Sequence, residues 1–206
     1  MWQERVQPGM TVVDIGANVG GMAAECWARM AGTGQMYAIE PQANLTADIL
    51  TRIQSATVIV AALTDHIGYA TLYHCVQSEQ ATLYPTNVLT NTGRTSFVRA
   101  TTLDSLTRTG ELPARIDFIK VDAQGAEAAI LRGASALLAQ RHASWYLELW
   151  PEGLRNAGDS VAAVCASLKG AGLVPLGRTW EQIDEESARC HGHGALDVLF
   201  VPQERC

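Results

Sequence analysis

Residues able to do chemistry gather in three short clusters. They are Asp14-Ile15-Gly16-Ala17-Asn18 with Gly20 and Gly21, then Glu40-Pro41, then Lys120-Val121-Asp122 followed by Gln124-Gly125. Each acid sits in or directly after an apolar run: Val12, Val13 and Ile15 around Asp14, Tyr37–Ile39 before Glu40, and Phe118–Val121 before Asp122. Such runs suit buried strands, so the spacing predicts carboxylates delivered at strand ends. Gly16, Gly20 and Gly21 would let a ligand approach the backbone, because no Cβ stands in the way.

A strand over 11–15, a glycine turn and a helix over 22–30 make the first half of a nucleotide-binding α/β unit. The turn is not the dinucleotide pattern G-x-G-x-x-G, since Ala17 and Asn18 follow Gly16. Asp14 would repel a pyrophosphate and attract a cation. Glu40 ends a second strand (35–39), which Pro41 stops, and a carboxylate there can accept both ribose hydroxyls. S-adenosyl-L-methionine (SAM) carries an ammonium and a sulfonium and no phosphate, so it is the expected cofactor, with S-adenosyl-L-homocysteine as product. An NAD-dependent oxidoreductase is the alternative that Asp14 and the missing glycine oppose. The expected cofactor contacts are Asp14, Gly16, Ala17, Asn18, Gly20, Glu40, Pro41, Ala62, Leu63 and Asp122. Ala62, Leu63, Thr64 and Asp65 are placed near the adenine, because they follow the third strand (57–60) and ligands lie outside the carboxyl ends of such strands.

The elements that must carry these residues are read in order. Residues 44–54 form an amphipathic helix, with Leu45, Ile49 and Ile53 four apart. Residues 69–75 and 97–101 are strands, and 76–96 between them is a long polar loop, either a flap over the acceptor or a plain insertion. Residues 116–121 are a fourth parallel strand that delivers Asp122. A helix over 126–138 follows, then a strand over 145–149 ending near Glu148. A helix over 160–170 precedes an antiparallel pair (173–179 and 196–201), joined by an acidic stretch over 181–194. Five β/α steps and a closing hairpin predict an α/β, Rossmann-like, doubly wound, seven-stranded mixed sheet with an antiparallel last strand. The right-handed crossover rule limits the strand order.

Composition bounds the rest. With 206 residues, 48% of them hydrophobic and 17% charged, the chain is expected to fold as one domain spanning 1–206, and not to be disordered. A net charge of −6 gives no basic footprint for nucleic acid. The longest apolar stretch, 56–63, is too short to span a bilayer. No apolar signal region opens the chain, and five scattered cysteines suggest reduced thiols, so a cytoplasmic location is expected. Cys190, His191, His193 and Asp184 lack the paired spacing of a zinc site, and no metal is expected. A partner copy is a possible cover for the site.

Four blocks together resemble the FkbM-type SAM-dependent methyltransferases: VVDIGANVG (12–20), AIEP (38–41), TTLDSL (101–106) and IDFIKVDAQGAEAAILRGA (116–134), with YLELWPEG (146–153) as a weaker fifth. The resemblance implies the class I methyltransferase fold and methyl transfer, generally to a hydroxyl oxygen of a sugar, polyketide or other small metabolite. It implies that Asp14 and the glycine turn flank the methionine part of SAM and that Glu40 holds the ribose. Asp122 and Glu148 are the candidate catalytic residues. Asp122 could orient the acceptor, take its proton, bind the SAM ammonium, or merely cap a helix. Glu148 could face the acceptor or serve as an ion-pair partner, for instance of Lys120. The family pattern K-x-D-x-E-G-x-E is kept at Lys120, Asp122, Gly125 and Glu127, but Gln124 replaces the first glutamate. That replacement keeps open a non-catalytic SAM-binding or assembly protein as a second class of function.

Overall fold

In the computed structural model, which describes residues 2–77, 80–85 and 91–203, the β-branched runs become strands covered on both faces. Val12, Val13 and Ile15 of β1 (Thr11–Ile15) are buried, and β1 leads through the glycine turn to α1 (Gly21–Arg29). There follow β2 (Gln35–Ile39), α2 (Thr46–Arg52), β3 (Thr57–Ile59), β4 (Ala62–Leu63), β5 (Gly68–Cys75), β6 (Asn91–Thr101), α3 (Leu103–Thr109) and β7 (Phe118–Val121). The chain continues through α4 (Glu127–Arg132), α5 (Ser135–Ala139), β8 (Ser144–Leu149), α6 (Pro151–Asn156), α7 (Val161–Gly170), β9 (Leu173–Pro175), α8 (Trp180–Arg189) and β10 (Leu196–Pro202).

The main sheet has the order β3-β2-β1-β7-β8-β10-β9. Its first five strands run parallel, and β10 is antiparallel to β8 and to β9. This is the expected seven-stranded mixed sheet with a reversed last strand. The strand order changes direction between β1 and β7, whose ends are tied by the Asp122 N–H donating to the Ile15 carbonyl at 3.1 Å. In open α/β sheets a ligand crevice lies outside the carboxyl ends at such a point.

Three local readings are corrected. The loop expected over 76–96 is shorter, because β6 begins at Asn91 and pairs with β5 in a second sheet of order β4-β6-β5; residues 78–79 and 86–90 lie outside the described residues. The helix expected over 126–138 is two helices. Asp104 breaks it by capping the second: its carboxylate accepts from the Ser135 hydroxyl and from the Ala136 and Leu137 amides. The acidic stretch after Thr179 is α8, started by a capping box in which Thr179 and Gln182 bond each other's backbone amides. Among the described residues no helix is long and apolar enough to cross a membrane.

Candidate functional site

A crevice with a cavity volume of about 50 Å³ opens at the β1/β7 switch. Its floor is made by Ile15 and Gly16 after β1, Glu40 after β2, and Asp122 and Ala123 after β7. Gly16 has to be glycine. Its φ is +73°, and a Cβ would lie 1.8 Å from the Asp122 carbonyl oxygen, so the two strand ends meet through main chain alone.

Glu40 is 4% exposed and is fixed by backbone: its two oxygens accept from the Asn18 and Gln42 amides, both at 2.9 Å. Burial raises its pKa above the ordinary carboxylate value despite those amides. Next to it stand Pro41, Ala61, Ala62 and Leu63, a flat apolar wall. The roof is supplied by the second sheet and its loop, through Leu72, Ala81 and Leu83. Thr82 anchors that roof by donating its hydroxyl to the Gln124 carbonyl at 2.9 Å. The described part of the stretch read as a flap or an insertion is therefore a wall of this crevice.

Beyond Asp122 lies a chain of ionisable side chains. Lys120 is nearly buried, with its ammonium 3.0 Å from Asp122 Oδ2, 3.3 Å from Asp14 Oδ1 and 3.4 Å from the Gly16 carbonyl. Burial alone would lower its pKa, but the two carboxylates outweigh burial and hold the ammonium charged. Burial likewise opposes ionisation of Asp122, yet Lys120 and the surrounding donors keep its pKa below the ordinary value. The Gln124 amide nitrogen donates to Asp122 Oδ1 at 3.0 Å and to Glu148 Oε2 at 3.1 Å. Burial, and then the Asp122 charge, push Glu148 up to about 8. Glu127 is fully buried and starts α4; one oxygen accepts from the Ala123 and Gly125 amides, and burial pushes it up to about 7.

Of the residues expected from sequence, Gly16, Asn18, Glu40, Pro41, Ala62, Leu63 and Asp122 line the crevice. Asp14, Ala17 and Gly20 stand behind it. Asp14 points to the opposite face of β1 from Val13 and Ile15, where its register neighbour is Lys120. Its charge therefore acts on the site through that lysine. Ala17 packs on Ala38 and Ile49, and Gly20 abuts Ile49. Asp65 lies outside the crevice, paired with Arg132 at 2.9 Å. The N-cap of α4 is Ala126, so Asp122 is not capping that helix. Lys120 meets Asp14 and Asp122, and not Glu148 as its sequence position allowed. Sequence reasoning missed Gln42 and the roof residues Leu72, Ala81 and Leu83. The alternation of 69–75 marks Leu72 as inward-facing, but nothing local says what it faces.

The model of the Methyltransferase FkbM domain family matches residues 14–166, a span holding both ends of the crevice. The chain belongs to the FkbM methyltransferase family. FkbM-type methyltransferases use SAM. No curated protein matches the sequence. Among solved structures, a methyltransferase FkbM from Methylobacillus flagellatus aligns with a TM-score of 0.59 at 14% identity, over 95% of this chain and 44% of its own. This chain thus spans less than half the length of that FkbM protein. Aeropyrum pernix fibrillarin, which has SAM natively bound, aligns with a TM-score of 0.53 at 11% identity, over 96% of this chain and 68% of its own. A SAM-dependent O-methyltransferase from Thermotoga maritima gives 0.51 at 14%, over 98% of this chain and 62% of its own. At these identities the likeness shows the fold.

The residues of the crevice fit the family's cofactor. Two carboxylates, Glu40 and Asp122, line it, and among the described lining residues there is no Lys or Arg to neutralise a pyrophosphate. A backbone-held carboxylate beside a flat apolar wall suits a ribose joined to an adenine.

Proposed function

We propose that this FkbM-family chain binds SAM and methylates a hydroxyl oxygen of a small acceptor, a sugar, polyketide-like molecule or similar metabolite. The observation that carries the reading is the crevice lining: an acid at the ribose position, an acid at the far end, and no cation in between. Glu40 would hold the ribose hydroxyls, Ala62 and Leu63 the adenine, and the Gly16 turn with Asp122 the amino-acid end. When bound, SAM supplies an electrophilic methyl group on a sulfonium. The chain's part is to orient the acceptor and receive its proton. Asp122 is ionised beside Lys120, so its carboxylate is the first candidate for the acceptor's proton, with Glu148 beyond it as the second acceptor-facing group. Residues 1–206 would act as one methyltransferase unit, in the cytoplasm, where free thiols such as Cys26, Cys75, Cys165 and Cys190 suit the redox conditions. A second copy could cover the site. The net charge of −6 favours a small acceptor over nucleic acid.

Calorimetric titration separates this reading from its rivals. SAM and S-adenosyl-L-homocysteine should bind and raise Tm, whereas NAD should do neither. Binding of NAD alone would replace the proposal with the oxidoreductase. SAM binding without label transfer from methyl-labelled SAM to any hydroxylated acceptor would favour the non-catalytic class.

A further inference from the structure

We infer that Gln124 is a positioning residue: its side-chain amide bridges Asp122 and Glu148 so that the two carboxyl groups face each other and share one proton. The inference rests on the proposed function only in taking this pair to face the acceptor; the bridge itself is geometric. One amide nitrogen carries two hydrogens, and both are used, at 3.0 Å to Asp122 Oδ1 and 3.1 Å to Glu148 Oε2.

The backbone at this position is built to deliver that amide. Gln124 has φ +51°, a left-handed conformation that is unfavourable for a non-glycine residue. The surroundings over-determine it. Its carbonyl accepts the Thr82 hydroxyl, and the amides on either side, Ala123 and Gly125, both donate to Glu127 Oε1. Gly125 is pressed on the Gly153 carbonyl, where a Cβ would come within 2.6 Å. A strained residue gripped on every side, with its head group between two acids, points to a role for the head group.

Charge explains why the bridge must be neutral. Facing Asp122 are Lys120, Asp14, Glu148 and Glu127; facing Glu148 are Asp122, Asp197, Glu127 and Tyr146. Asp197 is the strand partner of Glu148, and Tyr146 that of Lys120. One ammonium thus serves Asp14 and Asp122, and a second anion at Glu148 has no cation of its own. Glu148 therefore keeps its proton and donates it to Asp122, while the Gln124 amide supplies the remaining donors. An amide adds donors without adding charge; a carboxylate at position 124 would add an acceptor and a further negative charge.

The test is infrared titration of the protein without substrate, using the carbonyl stretch of protonated carboxyl groups. Wild type should show a band that titrates near pH 8 and that E148Q removes, beside the Glu127 band, which titrates near 7 and which E148Q leaves in place. In Q124E the titration should move up by about one unit or more, and Q124M, neutral and of similar size but without donors, should move it upward by a smaller amount. A midpoint near pH 8 that stays in place in both variants overturns the bridge, as does survival of the band that titrates near pH 8 in E148Q. Where Q124E does not fold by circular dichroism, Q124M alone decides. Calorimetry with SAM on the same samples keeps the questions apart: wild type that fails to bind SAM removes the methyltransferase proposal, and the titration still judges the bridge.

Discussion

The two ends of the crevice are held by different forces. At the Glu40 end the holding groups are main chain: the Asn18 and Gln42 amides grip the carboxylate, and strand register fixes where those amides lie. At the Asp122 end they are side chains: Lys120, Asp14, Asp122, Gln124 and Glu148 orient one another. A backbone-built end should absorb substitutions one at a time. A side-chain network should not, because removing one charge alters the protonation of the others. Lys120→Met is the sharpest way to expose this. It strands Asp14, 1% exposed, beside Asp122 with no counter-charge. Breaking a buried pair from one side costs about 3–5 kcal/mol, read as a lower urea midpoint at unchanged m. Adding Asp14→Asn should recover part of the loss. An unfolding free energy within about 1 kcal/mol of wild type would mean that Asp14 takes up a proton and the network is not interdependent.

Gly16 is where the two ends touch, so Gly16→Ala should damage both. The new Cβ meets backbone, not a movable side-chain tip, and the left-handed φ is unfavourable as well. We expect about 2–4 kcal/mol of destabilisation together with lost SAM binding. Gly20→Ala is the control. Its φ is similar at +78°, but the nearest atom is Ile49 Cα at 3.2 Å, so about 1 kcal/mol should suffice.

The same contrast decides what the sequence could reveal. Glu40 and the Gly16 turn were legible, because strand ends and glycine turns have local signatures and the crevice follows from the parallel topology. The position of Asp14 behind the crevice was also readable in principle, since period-2 alternation sets it opposite Val13 and Ile15. Its partner was not, because register between β1 and β7 joins residues 106 apart in sequence. The Gln124 bridge depends on a left-handed backbone that a glutamine gives no reason to expect. The roof was hidden for a third reason: Leu72, Ala81 and Leu83 are ordinary apolar residues until β5 and β6 pair into a sheet of their own. The capping box of α8, by contrast, is legible locally as T-x-x-Q at Thr179–Gln182.

At the backbone-built end, Glu40→Ala should leave the fold near wild type in stability while weakening SAM binding about 10- to 100-fold, the equivalent of one or two charge-assisted hydrogen bonds. Glu40→Gln should fall between, since one amide oxygen can still accept from Asn18 or Gln42. Loss of fold in both variants would place the main-chain grip, and not ribose binding, at the centre of this residue's role.

The smallest effect is a slope. Glu148 ionises near 4.5 when unfolded and about 8 when folded, and Glu127 near 4.5 and about 7. Over those windows the folded state binds more protons than the unfolded state, so stability falls as pH rises. The stabilisation is complete below pH 4.5 and gone once each folded group has lost its proton. Asp122, with its lowered pKa, acts in the other sense: its contribution is present at neutral pH and lost on acidification. Between pH 7 and 8 the Glu127 contribution is largely spent and that of Glu148 persists. There wild type should lose about 1 kcal/mol, and E148Q should run flat. Because the charge on Glu148 is opposed from Asp122 and Asp197 as well as by burial, Asp122→Asn should shrink the same slope without touching residue 148. An undiminished slope in Asp122→Asn would assign the shift to burial alone and make this end of the crevice a set of separate groups, like its opposite.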